Sequence, residues 1–325
     1  MLLSLLLLAV AVAAALTGSE AVERTASEMF IRMVLVIGLY IFVGNSGVMS
    51  FGHVGFMCIG AYASAWQTLP VAMKQLVLPG LPQWLLDSSI SPLPAAIFSA
   101  LLVAVVALIS GLVLMRLSGI AASIATFAFL AVVNVVYSNW DSVSAGTSSV
   151  VGIPVYANLW VTIAWAIVAI AIAFFYSVSR YGLALRAVRE DPVAAQACGV
   201  WVYRERLVAY VLSAFVVGLA GVLYAHFLGV LNPDAFYLDN TFLALAMLVV
   251  GGVSSLSGAV VGVLSLSLLI ELLVRMEDGV RFGETMLSLP GGAQEVLLGV
   301  AMILMLIFRP GGLMAGREIV WRKLF

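Results

Sequence analysis

Five arginines lie in one polar segment, residues 180–206, of a chain that is otherwise strongly apolar. Within this segment Asp191 precedes Pro192, and Gly199 follows a run of small residues. An aspartate side chain at the N-cap and a proline at the first helical position predict a helix start, and a glycine predicts its end. We therefore expect a capped helix over residues 192–198, whose small and nearly uncharged faces would let a partner approach closely.

The same polar segment is predicted to dock a partner on one side of a membrane. Its acidic residues lie at the positive end of the short helix, where they stabilise it. A solvated connecting loop is the alternative, but the cap, the small side chains and the flanking arginines agree with docking. The candidate coupling residues are Arg189, Glu190, Asp191, Pro192, Ala194, Ala195 and Gly199.

Glycines and small polar residues interrupt an apolar run between residues 38 and 66. Irregular backbone at membrane depth is stable only where it is buried in protein or lines a watery cavity. The free N–H and C=O groups of an interrupted helix suit the charged groups of a solute. A second set of polar residues, Ser123, Thr126 and Asn134, shares one face of a later predicted helix. Helix packing is the alternative explanation for each residue of both sets. The candidate pathway residues are Asn45, Ser46, Ser50, His53, Thr126 and Asn134.

The titratable residues of the apolar regions give little support to metal chemistry. The two histidines, His53 and His226, have no Cys, Asp or Glu at ligand spacing beside them, so we predict no metal site and no cofactor. His53 is expected to be an interior hydrogen-bonding residue, with a gating or binding role as the alternative. His226 is expected near the outer end of a helix. Glu271 is expected to pair with Arg275, one turn further on.

Neither lysine can belong to a nucleotide-binding P-loop. That motif requires Gly-x-x-x-x-Gly-Lys followed by Ser or Thr, whereas Lys74 precedes Gln75 and Lys323 precedes Leu324. The net charge of −1 likewise gives no electrostatic footprint for nucleic acid. The chain is therefore predicted not to be an enzyme, and ATP hydrolysis would have to occur in another chain.

Composition places these residues in a polytopic membrane protein. Hydrophobic residues make up 64% of the 325 residues and charged residues 10%, against about 25% charged in soluble domains. A spanning helix needs about 20 mostly apolar residues. The apolar runs predict an all-α bundle of about ten spans, some short or broken, in a single transmembrane domain over residues 1–325. The predicted spans are Leu2–Thr17, Met29–Val43, Val48–Trp66, Leu93–Met115, Ile120–Trp140, Leu159–Val178, Leu207–Val230, Thr241–Val253, Leu256–Val274 and Ala293–Phe308.

Lysines and arginines are divided unequally between alternate loops. With residues 180–206 and the tail after Phe308 inside, ten of them are internal and five external, as the positive-inside rule requires. Both termini are then cytoplasmic. The first run, residues 2–17, has no Lys or Arg before it and is kept as a helix rather than a signal peptide. The internal residues are Arg116, Arg180, Arg186, Arg189, Arg204, Arg206, Arg309, Arg317, Arg322 and Lys323.

Several longer stretches resemble one family of membrane proteins. The run GLALRAVREDPVAAQACGVWVYRERLVAYVLSAFVVGLAGVLYA resembles the cytoplasmic loop and following helix of permease subunits of branched-chain amino acid ABC transporters. Other parts of that family are similar, in the same order, to GLYIFVGNSGVMSFGHVGFMCIGAYASA, VVGGVSSLSGAVVGVLSLSLL and FRPGGLMAG. The resemblance is closest to the longer of the two permease types. Tyr203 departs from the family, whose members often carry other polar residues there.

The resemblance implies a division of labour between chains. In this family two permease subunits form the pathway, two cytosolic ATPase subunits supply energy, and a periplasmic binding protein delivers the substrate. The resemblance implies that this chain is one subunit of a heterodimer in the inner membrane, surrounded by lipid. It also implies that the chain imports branched-chain or related hydrophobic amino acids and that residues 180–206 form the cytoplasmic coupling loop. The alternatives are an ABC permease for urea or short amides and, with Glu271 as its titratable residue, an ion-coupled secondary transporter.

Overall fold

In a computed structural model the chain forms a bundle of apolar helices. The described residues are 2–278, 280–282, 285–287, 290, 292–309 and 311–318. Arg322 and Lys323, which contribute to the predicted charge bias, lie outside them, as does Pro310 of the tail motif.

The described part of the chain contains fifteen α-helices, one π turn, one 3₁₀ turn and two short antiparallel strand pairs. The helices are α1 (Leu2–Leu16), α2 (Glu20–Leu39), α3 (His53–Thr68), α4 (Val71–Val77), α5 (Gln83–Leu86), α6 (Pro92–Leu114), α7 (Gly119–Asn139), α8 (Asp141–Ser144), α9 (Leu159–Val178), α10 (Arg180–Glu190), α11 (Pro192–Ala197), α12 (Val202–Leu228), α13 (Leu238–Gly251), α14 (Leu256–Asp278) and α15 (Ala293–Phe308). The π turn covers Tyr40–Gly44 and the 3₁₀ turn Pro233–Phe236. The strands pair as β1 (Val150–Val151) with β2 (Val230–Leu231) and β3 (Val280–Phe282) with β4 (Thr285–Leu287).

Seven helices of the described chain are long and apolar enough to cross a membrane. Helices α1, α3 and α15 coincide with predicted spans but have only 15, 16 and 16 residues, fewer than the roughly 20 of an ordinary spanning helix. All ten predicted apolar runs are thus helical, whereas length does not confirm ten crossings. The largest boundary error is at the predicted span from Val48, which includes five non-helical residues because α3 begins only at His53. The spans predicted to end at Val230 and Val253 also run two residues past the ends of α12 and α13.

Helix α12 lies at the centre of the bundle and packs against α2, α3 and α6. Glycines permit the closest approaches. A Cβ atom at Gly221 of α12 would overlap the Met57 carbonyl of α3. Gly258 and Gly262 of α14 have the same role, because a Cβ at Gly262 would overlap the Met247 carbonyl of α13 and one at Gly258 would overlap the Gly252 carbonyl. Small residues at helix crossings let backbones approach where no water drives the packing.

The segment after α3 contains the short helices α4 and α5 and folds around a buried lysine. The Lys74 side chain is fully buried. Its Nζ donates to the carbonyls of Ser88 at 2.6 Å, Leu85 at 3.1 Å and Gln67 at 3.4 Å. Burial lowers the pKa of the Lys74 ammonium. The carbonyl dipoles at the ends of α3 and α5 stabilise the cation, as expected at helix C-termini.

A second buried polar cluster lies near the C-terminal end of α12. His226 Nε2 is 2.6 Å from Ser64 Oγ, and Nδ1 is 2.8 Å from the Pro154 carbonyl oxygen. The Tyr156 ring lies 4.3 Å from the imidazole, centroid to centroid. His226 is therefore near the helix end, as predicted, but enclosed by protein with both ring nitrogens hydrogen-bonded.

Candidate functional site

The interruption between α2 and α3 is built from a π turn followed by non-helical backbone. The π turn over Tyr40–Gly44 ends α2, and Gly47 adopts a φ of +70° that favours glycine. Ser46 Oγ accepts a 3.2 Å hydrogen bond from Val48 N. Helix α3 then starts at His53. The chain thus leaves and re-enters helical geometry inside an apolar bundle, where its free backbone groups need partners.

Helix α7 supplies two of these partners. Thr126 Oγ1 accepts from Phe51 N at 3.3 Å, and Ser123 Oγ donates to the Met49 carbonyl at 2.7 Å. Thr126 Oγ1 also donates to the Ser123 carbonyl at 2.8 Å. These two hydroxyls therefore stabilise the interrupted backbone, which is the packing role that hydroxyls commonly have between membrane helices.

Asn45 and His53 carry buried polar atoms that are left without a partner. Asn45 Nδ2 donates to the Ile41 carbonyl at 3.0 Å, across the π turn. His53 Nδ1 lies 2.7 Å from Ser50 Oγ. Asn45 Oδ1 and His53 Nε2 have no hydrogen-bond partner among the described residues. The polar groups of this region are therefore less fully hydrogen-bonded than those of an ordinary helix crossing. Each unpartnered buried polar atom costs about 1–3 kcal/mol.

The polar candidates at the interruption are closed off in this conformation. Asn45, Ser46, Ser50, His53 and Thr126 are each at most 4% exposed. A solute could reach them only after the surrounding helices move.

Asn134 lies apart from this cluster. It sits eight residues beyond Thr126 on α7, half-buried, with Nδ2 3.5 Å from the Pro233 carbonyl. Eight residues correspond to about 12 Å along a helix. The structure therefore brings five of the six predicted pathway residues together and places Asn134 further along α7, beside the 3₁₀ turn.

The exposed side of the interruption is apolar and was not predicted. Met49 is 38% exposed, and Phe51 contacts two exposed rings. The Phe51 centroid lies 6.3 Å from that of Phe127 on α7 and 6.4 Å from that of Phe242 on α13, both edge to face. An aromatic face, formed by Phe51, Phe127 and Phe242, therefore borders the interrupted backbone.

The polar segment of residues 180–206, called the inner segment after its predicted side, contains the predicted capped helix with small differences. Asp191 Oδ1 accepts from Val193 N at 2.8 Å and Ala194 N at 3.0 Å. Helix α11 ends at Ala197, one residue before the predicted end, and Gly199 follows with a φ of +86°.

The exposure of the small residues on α11 corrects one expectation. Ala194 and Ala197 are exposed, but Ala195 is only 5% exposed. Ala195 therefore faces the membrane domain, and the surface open to a partner consists of its neighbours.

Arg189 connects the inner segment to the interrupted helix. Its Nη1 donates to the Gly44 carbonyl at 2.8 Å, and its Nε and Nη2 donate to Glu190 Oε1 at 3.1 and 2.8 Å. Its aliphatic stem covers Gly47, where a Cβ would lie 2.6 Å from Arg189 Cγ. One side chain of the predicted coupling segment thus satisfies the last carbonyl of the π turn and fits against the glycine that follows.

The remaining titratable candidates are structural in this conformation. Arg275 Nε donates to Glu271 Oε1 at 2.7 Å, so the expected ion pair is confirmed, and Thr25 Oγ1 donates to Glu271 Oε2 at 3.1 Å. Within the described residues, no group of three or more His, Cys, Asp or Glu side chains could hold a metal ion. The site therefore offers hydrogen bonds, dipoles and apolar surface.

A family model described as the permease component of branched-chain amino acid transport systems matches residues 21–306. The chain belongs to this family. It is a multi-pass membrane transport permease, not an enzyme, that works with partner subunits. The high-affinity branched-chain amino acid permease LivM of Escherichia coli K12 is 25% identical over 95% of this chain and 73% of its own length. The expected similarity to the longer permease type is thereby confirmed.

Two further relatives show how far the similarity extends. The probable LivM of Methanocaldococcus jannaschii is 28% identical over 50% of this chain and 48% of its own length. The guanosine ABC transporter permease NupQ of Bacillus subtilis 168 is 30% identical over 65% of this chain and 69% of its own length. No solved structure matches the chain significantly.

Proposed function

We propose that the chain is a permease subunit of an ATP-driven importer for branched-chain or related hydrophobic amino acids in the bacterial inner membrane. The observation that carries this proposal is the contact between Arg189 and Gly44. A partner that moves α10 and α11 would displace the backbone of the candidate pathway through this contact. Ion-coupled transport would need a free titratable group near the pathway, but its candidate, Glu271, is already paired with Arg275.

Ten crossings fit the order of the helices in this proposal. Glu318 Oε1 accepts from Leu256 N at 2.7 Å, which joins the tail to the start of α14. A cavity of about 540 Å³ is lined by Tyr40, Arg186, Leu256 and Glu318 among others. The end of α2, the inner segment, the start of α14 and the tail therefore share one side. With α1, α3 and α15 crossing as short helices, both termini are cytoplasmic.

The ATPase subunits would dock on the exposed residues of α11. Ala194 and Ala197 lie three residues apart on an exposed flank, where small side chains allow close approach. An Ala194→Arg substitution should abolish co-purification of the ATPase and ATP-driven uptake, while the free energy of unfolding changes by less than about 0.5 kcal/mol, as for exposed positions generally.

Ala72→Arg is the matched control for this docking test, because Ala72 is an exposed alanine of the outer helix α4. Its co-purification and uptake should equal those of the wild type. Normal ATPase binding by Ala194→Arg would show that α11 is not the docking element.

The aromatic face supports both the expected partner and the substrate class. We place the second permease subunit, forming a heterodimer, against this face, so that the pathway lies between the two subunits and receives substrate from a periplasmic binding protein. Phe51, Phe127 and Phe242 would contact the apolar side chain of a branched-chain amino acid. The interrupted backbone would meet its charged ends, as discontinuous helices do in other transporters.

A nucleoside is the second candidate substrate, because one relative is named a guanosine permease and aromatic rings also stack on bases. The deciding experiment reconstitutes the permease pair, the ATPase subunits and the binding protein in vesicles and compares uptake of labelled leucine and labelled guanosine. We expect ATP-dependent accumulation of leucine, and neither ATPase activity nor accumulation by this chain alone. Guanosine accumulation without leucine would overturn the substrate class, and accumulation by this chain alone in a proton gradient would overturn the importer.

A further inference from the structure

A groove of about 1090 Å³ lies beside α11, between this helix, the turn joining α6 to α7, and the start of α12. Its walls include Arg116, Ser118, Gln196, Trp201 and Arg206. The groove lies on the side that carries the coupling segment, so its assignment to the inner membrane face rests on the proposed function.

The groove is positively charged and has unused hydrogen-bond donors. Arg116 is exposed, and within the described residues its side chain makes no hydrogen bond or ion pair, while its backbone N donates to the Val113 carbonyl. Arg206 Nη1 donates to the Leu117 carbonyl at 3.3 Å, while its buried Nε has no partner in the described part of the chain. No acidic side chain lines the groove. Two guanidinium groups therefore face a space in which no acidic side chain of the described residues neutralises them, and guanidinium groups bind phosphate oxygens well.

Exposed apolar side chains flank the turn that carries Arg116 and Ser118. Val113, at the end of α6, is 68% exposed and Ile120, at the start of α7, is 79% exposed. Trp201, which lines the groove, is 73% exposed, and tryptophan is enriched at the level of lipid headgroups. The positive groove thus opens beside apolar surface on α6 and α7, where a molecule with a charged head and apolar chains would fit.

We propose that this groove binds the headgroup of an anionic phospholipid of the inner leaflet, such as phosphatidylglycerol. Arg116 and Arg206 hold the phosphate, and the acyl chains lie along Val113 and Ile120. Basic pockets between membrane helices on the cytoplasmic side bind such headgroups in general. Pro192 and Gly199 of the candidate coupling residues line the groove, whereas the exposed Ala194 and Ala197 do not. A lipid there therefore leaves these two alanines free for the ATPase.

The test measures lipid retention on the full-length chain alone, in nanodiscs with equal amounts of phosphatidylglycerol and phosphatidylcholine of the same acyl chains. Native mass spectrometry then counts the lipids that stay bound. The wild type should retain phosphatidylglycerol preferentially, and Arg116→Gln should lower this preference about fivefold, with a further loss in Arg116→Gln/Arg206→Gln. Arg116→Gln tests the site without risk to the fold, because this exposed side chain makes no described hydrogen bond. Arg204→Gln, an exposed arginine outside the groove, should retain wild-type preference.

Three results would overturn the lipid site. One is an absent preference for phosphatidylglycerol, or a preference that both arginine variants keep. Another is displacement of the lipid by equimolar inorganic phosphate, which would show a phosphate site without acyl contacts. The third is a loss of preference in Arg204→Gln as large as that in Arg116→Gln, which would show that general surface charge, and not the groove, attracts the lipid. Because no ATPase or transport is needed, this test can fail while the proposed importer stands, and the reverse also holds.

Discussion

Polar groups are buried in two places, at the predicted outer end of the bundle and in the backbone between α2 and α3, but they are satisfied differently. At the predicted outer end, Lys74 Nζ donates to three carbonyls and both ring nitrogens of His226 are hydrogen-bonded. At the interrupted helix, Asn45 Oδ1 and His53 Nε2 have no partner among the described residues. A fully satisfied network rigidifies a structure, whereas a partly satisfied one has less to lose when it rearranges. We infer that the Lys74 and His226 clusters form a fixed frame at the outer end and that the interrupted helix is the moving part.

The largest effect on stability is expected at Gly47. Gly47→Ala adds the strain of a left-handed alanine and a clash with Arg189, since the new Cβ would lie 2.6 Å from Arg189 Cγ. We expect a loss of about 3–4 kcal/mol in the free energy of unfolding, measured by thermal unfolding in detergent. Gly119→Ala is the matched control, because Gly119 has a φ of +57° but open space around it. It should cost only about 1–2 kcal/mol, and equal losses would show that the Arg189 contact adds nothing.

Lys74 tests the outer frame. Lys74→Met keeps the apolar stem but removes the donors to three carbonyls, so we expect the free energy of unfolding to fall by about 3 kcal/mol. Gln75→Ala, at the exposed neighbouring position, should change it by less than about 0.5 kcal/mol. Thermal unfolding of the two variants decides the matter. If the Lys74→Met protein is as stable as the Gln75→Ala protein, the hydrogen bonds of Lys74 do not stabilise the outer end, and the claim that this end is a fixed frame is contradicted.

The smallest expected effect is the difference in the free energy of unfolding between variants of the two histidines. His226→Phe leaves the Ser64 hydroxyl and the Pro154 carbonyl without their partner and should cost about 2 kcal/mol. His53→Phe loses one bond to Ser50 but also removes an unpartnered nitrogen among aromatic rings, so it should cost less than about 1 kcal/mol. Chemical denaturation of both variants in one detergent compares them. A larger loss for His53→Phe would reverse the assignment of frame and moving part.

The sequence predicts the helices well because hydropathy and capping are local properties. Each apolar run is helical, and the Asp191 cap forms with the expected hydrogen bonds. The Glu271–Arg275 pair forms because residues four apart on a helix are neighbours. The start of the third predicted span is wrong, because hydropathy does not distinguish a helix from buried irregular backbone. The residues from Val48 to Gly52 are such backbone, and α3 begins at His53.

The long-range contacts could not be predicted from the sequence. Arg189 and Gly44 are 145 positions apart, and no local pattern relates them. The burial of Lys74 and of Ala195 could not be predicted either, because it depends on which helices pack against a short surface element. The aromatic face likewise joins α7, α13 and the interruption, and only the packed bundle brings these three together.

The most direct test of the central claim is coupling through Arg189. In the reconstituted importer, Arg189→Ala should lower ATP-driven leucine uptake about tenfold or more, since a hydrogen bond from a charged group contributes about 1.5–3 kcal/mol. ATPase assembly should be retained, because the exposed residues of α11 are unchanged. Arg180→Ala is the matched control, since within the described residues the Arg180 guanidinium hydrogen-bonds to the Tyr181 hydroxyl and not to the interrupted helix, and its uptake should equal that of the wild type. Wild-type uptake by Arg189→Ala would contradict the claim that the inner segment moves the interrupted helix through this side chain.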